Sequence, residues 1–218
     1  YVVVAAPREQ QSAMGRSKPA QYDRSAHKES MEVGGQSWEV FAVEGSPAQS
    51  VSKAISELLP RKPDLVVAGI NYGENLGSSI TVSGTVGAAL EGASYGVPGL
   101  AVSLQTDPSF HFTYSEEIDF TAAAHFTGLF ARLLLEMDGL KDFDVLKVDV
   151  PSDATTETPW EMTRVSRSRY YFQKVYLGQD VEEAKETYAS SVRGAEHDRE
   201  SDIYVLRVKN MVSVSPLT

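Results

Sequence analysis

Three stretches of this 218-residue chain gather the side chains that can do chemistry. Residues 7–17 (PREQQSAMGRS) form a polar loop with Ser12 near its centre and Arg8 and Arg16 to either side. Residues 69–77 (GINYGENLG) set Asn71 and Asn75 among Gly73 and two further glycines, with Glu74 as the one acid. Residues 83–85 are Ser83-Gly84-Thr85. An Asn carbonyl and a Ser hydroxyl are neutral oxygen ligands, suited to hard cations such as Mg²⁺ or Mn²⁺. Such a cation ordinarily takes a carboxylate as well. Ser83 or Thr85 at a helix start would cap it and leave backbone N–H groups aimed at an anion. Each stretch also has a plainer reading. The glycines supply positive φ, the asparagines cap turns, Glu74 and the arginines are solvated, and Ser83 is an ordinary N-cap.

The flanking sequence says what must position these residues. Residues 65–70 (LVVAGI) read as a strand buried on both faces of a parallel sheet, and the glycine–asparagine loop follows directly. Small residues 86–93 have apolar helical spacing, and residues 99–104 read as a second buried strand. In open α/β sheets, ligands sit outside the carboxyl ends of the strands, where these loops fall. Residues 1–6 (YVVVAA) read as another buried strand, which puts Ser12 on the same sheet edge as Asn71. A strand at the first residue leads us to expect further chain upstream of Tyr1.

Residues 18–31 are charged and irregular, and residues 38–43 (WEVFAV) read as a strand. Residues 48–59 read as a helix with Val51, Ile55, Leu58 and Leu59 on one face, and residues 116–137 as the longest helix. In that helix Ile118, Ala122, Phe126, Leu129, Leu133 and Met137 recur at spacings of three and four. Residues 145–150 are a strand stopped by Pro151. The alternation predicts a Rossmann-like three-layer α/β/α core with a mostly parallel sheet over residues 1–151. After Pro151 the pattern becomes strands without helices: 162–166, 171–177, 203–208 and 211–214. Residues 152–218 therefore read as an antiparallel β-arm. Its run Tyr170, Tyr171, Phe172, Val175, Tyr176 and Leu177 is too apolar to leave in water. That predicts a homodimer or tetramer formed through the arm.

Composition excludes several classes. The net charge of −10 disfavours nucleic-acid polymers and anionic membranes, though not a small phosphate ligand. There is no cysteine, hence no disulfide framework or thiolate metal site. No run approaches the ~18 apolar residues that span a bilayer, and residues 1–6 lack the basic start of a leader. A cytoplasmic protein is expected. The glycine loop fits neither a dinucleotide fingerprint nor a Walker loop, which disfavours a dinucleotide-dependent oxidoreductase. No G-x-S-x-G elbow is present. His27 and His197 lie in charged stretches, His111 lies between two phenylalanines, and His125 falls on the Ile118–Leu129–Leu133 face as a core histidine.

The run VVAGINYGENLGSSITVSGTVGAALEGASYGVPGLAVS resembles the SurE family of survival proteins. Its three parts follow the family's V-x-G-I-N-x-G-x-N-L-G, S-G-T-V-x-A-A-x-E-G and G-x-P-x-x-A-V-S in order and spacing. Flanking stretches are similar too: APREQQS, EGSPAQSV (with Ser46 for Thr and Gln49 for Asp), VLKVDVP and the closing SDIYVLRVKNMVSVSPLT. The resemblance implies a Rossmann-like core and a C-terminal β-arm exchanged within a dimer. It implies one divalent cation per subunit and hydrolysis of phosphate monoesters, chiefly nucleoside monophosphates. By the same resemblance Ser12 and Asn71 match metal ligands, Ser83, Gly84 and Thr85 match the phosphate segment, and Gly73 and Asn75 match the substrate loop. The family's two adjacent metal-binding Asp belong upstream of Tyr1, so no catalytic residue is assigned within the chain. That absence supports a competing reading, a nucleotide-binding or scaffold protein without turnover.

Overall fold

The computed structural model describes residues 1–110, 117–137, 142–176, 185–192, 195 and 197–218. Its centre is a five-stranded sheet in the order β4 (Val66–Tyr72), β5 (Gly99–Leu104), β6 (Val145–Val150), β10 (Val212–Leu217) and β7 (Trp160–Met162). β4, β5 and β6 run parallel, β10 is antiparallel to β6, and β7 is parallel to β10. A three-stranded sheet in the order β1 (Val4–Pro7), β3 (Gln36–Val43), β2 (Ala26–Val33) stands beside it.

Helices cover both faces of the central sheet, which makes the three layers of an α/β fold. On one face α3 (Thr121–Glu136) buries Ala123, Phe126, Phe130 and Leu134 against Leu100, Val102, Leu146, Val148 and Val214. On the other, α2 (Gly84–Ser94) packs Val86 and Ala89 against Ala68, Ala101 and Val145. α1 (Pro47–Lys53) begins at a capping box made by Ser46 and Gln49, and a wider helical turn at Ala54–Leu58 continues it.

Several expectations need correction. β4 is not buried on both faces: among the described residues it pairs only with β5, and Val67 is 46% exposed along a wide cleft. Residues 26–31, part of the stretch 18–31 expected to be irregular, belong to β2 (Ala26–Val33), because Gly34 and Gly35, both at positive φ, supply a two-residue hairpin turn to β3. His125 is exposed, since α3 turns Phe126 and Phe130 inward instead. His111 lies outside the described residues.

The largest correction concerns residues 152–218, which are not one antiparallel arm. Residues 202–207 are helix α4 (Asp202–Arg207), capped by the Ser201 hydroxyl, which accepts from the Tyr204 amide. β7 and β10 belong to the central sheet. Among the described residues, only the hairpin β8 (Tyr171–Tyr176) with β9 (Lys185–Ser190) stands apart as a two-stranded sheet. Tyr170, at its base, is fully buried by its own chain with Leu76, Ile203 and Leu206. Leu177 lies outside the described residues.

Candidate active site

β4 does not run straight into its loop. Its register with β5 shifts between Ala68 and Asn71, at Gly69, whose φ is +123°. A bulge of this kind re-aims the side chain that follows it. Asn71 then stands opposite Ser103 of β5, which stands opposite Asp149 of β6. The Asn71 amide nitrogen donates to the Tyr72 and Gly73 carbonyls at 3.1 and 2.7 Å. Both amide hydrogens are thereby committed, and the oxygen is the end left for a ligand.

The loop beyond is held from beneath. The Gly73 amide donates to the Leu104 carbonyl at 2.8 Å. Asn75 is buried; its backbone N–H donates to Asp149 Oδ1 at 2.7 Å and its side-chain amide to Ser103 Oγ at 2.7 Å. The chain next makes a short 3₁₀ turn at Gly77–Val82 and enters α2. Ser83 is the N-cap, its hydroxyl accepting from the Val86 amide at 3.2 Å, and Gly84 and Thr85 form the first turn. Amides of a first turn have no partner within the helix.

The Ser12 loop is fastened to this same turn. The Gly15 amide donates to the Val82 carbonyl at 2.9 Å. The Arg16 and Lys18 side chains pair with the fully buried Glu91 of α2 at 2.8 and 2.5 Å. The Ser46 hydroxyl donates to the Ser17 carbonyl at 2.6 Å. Ser12, Asn71, Gly73, Asn75, Ser83, Gly84 and Thr85 consequently line a single cleft of about 1550 Å³. Ser12 itself is exposed there. The two arginines of that loop take carboxylate partners, Arg8 with Glu44 and Arg16 with Glu91, each at 2.8 Å.

Sequence reasoning left Glu74 solvated and overlooked the residues around it. Glu74 is 3% exposed; its Oε1 accepts from the Tyr170 hydroxyl at 2.5 Å and lies 3.4 Å from Arg207. Burial, and then the Glu74 charge, push the Tyr170 hydroxyl up. The fully buried Lys147 bridges Asp149 and Asp202, lying 3.3 Å from the latter. Burial drives the Asp149 carboxyl up to about 6, against the pull of Lys147. The one sequence signal was charge inside the strand VLKVDV: Leu146, Val148 and Val150 face α3, so Lys147 and Asp149 face the loop side.

Among the described residues, no group of three or more His, Cys, Asp or Glu could hold a metal ion, and no helix is long and apolar enough to cross a membrane. Charged residues such as Arg8, Glu9, Asp64, Glu74 and Arg169 line the cleft together with the neutral oxygens of Ser12 and Asn71 and the first turn of α2. Residues 1–172 match the family described as survival protein SurE. The chain is 35% identical to "5'-nucleotidase SurE" of Methanocaldococcus jannaschii, over 100% of this chain and 80% of that protein. It is 36% identical to "5'-nucleotidase SurE" of Thermococcus gammatolerans, over 99% of this chain and 79% of that one. The crystal structure of the SurE protein from Aquifex aeolicus superposes with a TM-score of 0.72 at 29% identity, covering 99% of this chain and 82% of that one. A glycine–asparagine loop, a serine-capped helix start and this likeness along the whole chain place it in the SurE family.

Proposed function

We propose that this protein is a metal-dependent 5'-nucleotidase, hydrolysing nucleoside monophosphates to nucleoside and inorganic phosphate. The observation that supports the reading is that Ser12, Asn71 and the α2 first-turn residues Gly84 and Thr85 all line one cleft. The relatives named 5'-nucleotidase that match nearly the whole chain support the same substrate class.

In this reading the N–H groups of Gly84 and Thr85 take non-bridging phosphate oxygens, with the helix dipole favouring the negative charge. The Ser83 hydroxyl accepts from Val86 and keeps its own hydrogen to donate. Ser12 and Asn71 offer hard oxygen donors, which fit Mg²⁺ or Mn²⁺ as two of its ligands. Such a cation, when bound, neutralises phosphate charge and activates a water for in-line attack. Asn71 is held for that task by its own backbone contacts and by the bulge before it.

The test is phosphate release from AMP by the full-length protein with Mg²⁺ or Mn²⁺. Activity abolished by EDTA and restored by the added metal is expected. No release from any nucleoside monophosphate with either metal would refute the reading.

We further propose that the protein is a homodimer, or a tetramer built from dimers, through the β8–β9 hairpin. In support, the hairpin pairs with no other strand among the described residues, and a lone two-stranded ribbon is marginal in water.

A further inference from the structure

Every residue from Glu74 to Gly77 is tied to elements more than 70 positions away. Glu74 meets Tyr170 and Arg207. Asn75 meets Asp149. Leu76 is fully buried against Tyr170, Ile203 and Leu206. The Gly77 amide donates to Asp202 Oδ2 at 3.0 Å. At Gly77, with φ +55°, a Cβ would stand 2.4 Å from the Ser168 carbonyl and 3.0 Å from Ile203, so the loop is pressed onto α4. Asp202 lies at the start of α4 and Arg207 at its end, and the two grip the two ends of the segment.

The charge balance explains why the grip is firm. Asp149 and Asp202 are completely buried carboxyls that share the one ammonium of Lys147. A buried ion cluster is tolerated only when its remaining lone pairs are hydrogen-bonded. Here backbone N–H groups do this: Asn75 to Asp149, Gly77 to Asp202 Oδ2, and Ser166 and Ile203 to Asp202 Oδ1. Two of those four donors belong to the substrate loop, so moving the loop would leave a buried carboxylate short of a partner.

We propose that α4 is the positioning element of the substrate loop: Asp202 and Arg207 set where Gly73 and Asn75 stand relative to the first turn of α2, and so how a bound phosphomonoester is oriented. This rests on the reading of the cleft as a phosphomonoester site. Neither residue touches substrate; both act through the loop.

Arg207→Gln, Tyr170→Phe and Asp202→Asn in the full-length protein test it, with Ser83→Ala in parallel and AMP as substrate. Arg207 is partly exposed, so Arg207→Gln is the variant that keeps the fold even if Asp202→Asn does not. Arg207→Gln is expected to raise KM for AMP on the order of tenfold or more, since small displacements of positioning groups have effects of that size. Arg207→Lys, which keeps a cation near Glu74, should recover most of it. A purely structural role would lower Tm and the active fraction but leave the KM of the folded enzyme alone. Wild-type KM and kcat in both Arg207→Gln and Tyr170→Phe, beside a crippled Ser83→Ala, would overturn the clamp while leaving the site reading intact. A wild-type protein that releases no phosphate from AMP would overturn the site reading and the clamp with it.

Discussion

Gly87 of α2 lies so close to the carbonyl oxygen of Gly15 that a Cβ on Gly87 would stand 2.1 Å from it. No side chain fits there without moving backbone. Gly87→Ala should therefore push the Ser12 loop off α2, straining the Gly15–Val82 bond and the Arg16–Glu91 pair. Overpacking of this kind costs about 1–3 kcal/mol. A lower Tm is expected, together with a higher metal concentration for half-maximal activity, since Ser12 rides on the displaced loop. Wild-type Tm and metal dependence would show that the loop accommodates the methyl group elsewhere.

Ser83→Ala and Thr85→Ala separate phosphate binding from helix capping. If the Ser83 or Thr85 hydroxyl donates to phosphate, its loss lowers turnover by about 10²–10³, whereas a lost N-cap costs only ~1 kcal/mol of stability. Steady-state kinetics with AMP beside thermal unfolding distinguishes the two. Unchanged kcat in both variants would make Ser83 a cap and nothing more.

The parts of the site that were legible in sequence are those where chemistry and backbone demand coincide. Asn71 follows the glycine at which β4 bulges and Ser83 caps α2, and local pattern alone marks such places. The clamp beneath was not legible, because Lys147 and Asp149 meet Asp202 only through the tertiary fold. In sequence, residues 203–208 (IYVLRV) read as a strand on their β-branched and apolar composition, although they fall largely on α4. The signals against that were Ser201 as N-cap and Asp202 in the first turn, which outweigh β-branched composition in so short a segment. β2 was missed because nearly all of AHKESMEV is exposed, so no apolar alternation marks it. Its cross-strand pairs, such as Lys28 with Glu39 at 2.7 Å, appear only once the register is known.

The buried Asp149 carboxyl gives stability a pH dependence of predictable sign. Burial raises it to about 6, above its ordinary value of 3.8. Between these values the native state binds more proton than the unfolded chain, so this group's contribution to stability falls as pH rises from about 4 to 6. Asp149→Asn is neutral throughout and removes that slope. Urea unfolding of both proteins at several pH values should show the wild type losing stability relative to Asp149→Asn across that window. A difference independent of pH would mean that Lys147 holds Asp149 ionised at every pH tested.

The hairpin β8–β9 carries the last prediction. Its strands pair from Tyr171 with Ser190 to Tyr176 with Lys185, and with nothing else among the described residues. At its base Tyr170 is buried and the Tyr171 hydroxyl donates to the Glu74 carbonyl, while Phe172 is 38% exposed, so the chain covers the root of the hairpin and leaves Phe172 partly in solvent. Two strands with an apolar face need a further strand or a packing surface to be stable. Exchange between two copies of the chain would supply that surface twice over and close with two-fold symmetry. Light scattering of the full-length protein at micromolar concentration should give a dimer mass or a multiple of it. Deletion must spare Tyr170, which the Glu74 and Arg207 contacts require. Replacing residues 172–189 with a short Gly-Ser linker is therefore expected to give a monomer with the central sheet intact. A monomer mass for the unaltered protein, or an undiminished dimer after the replacement, would remove the hairpin from the interface.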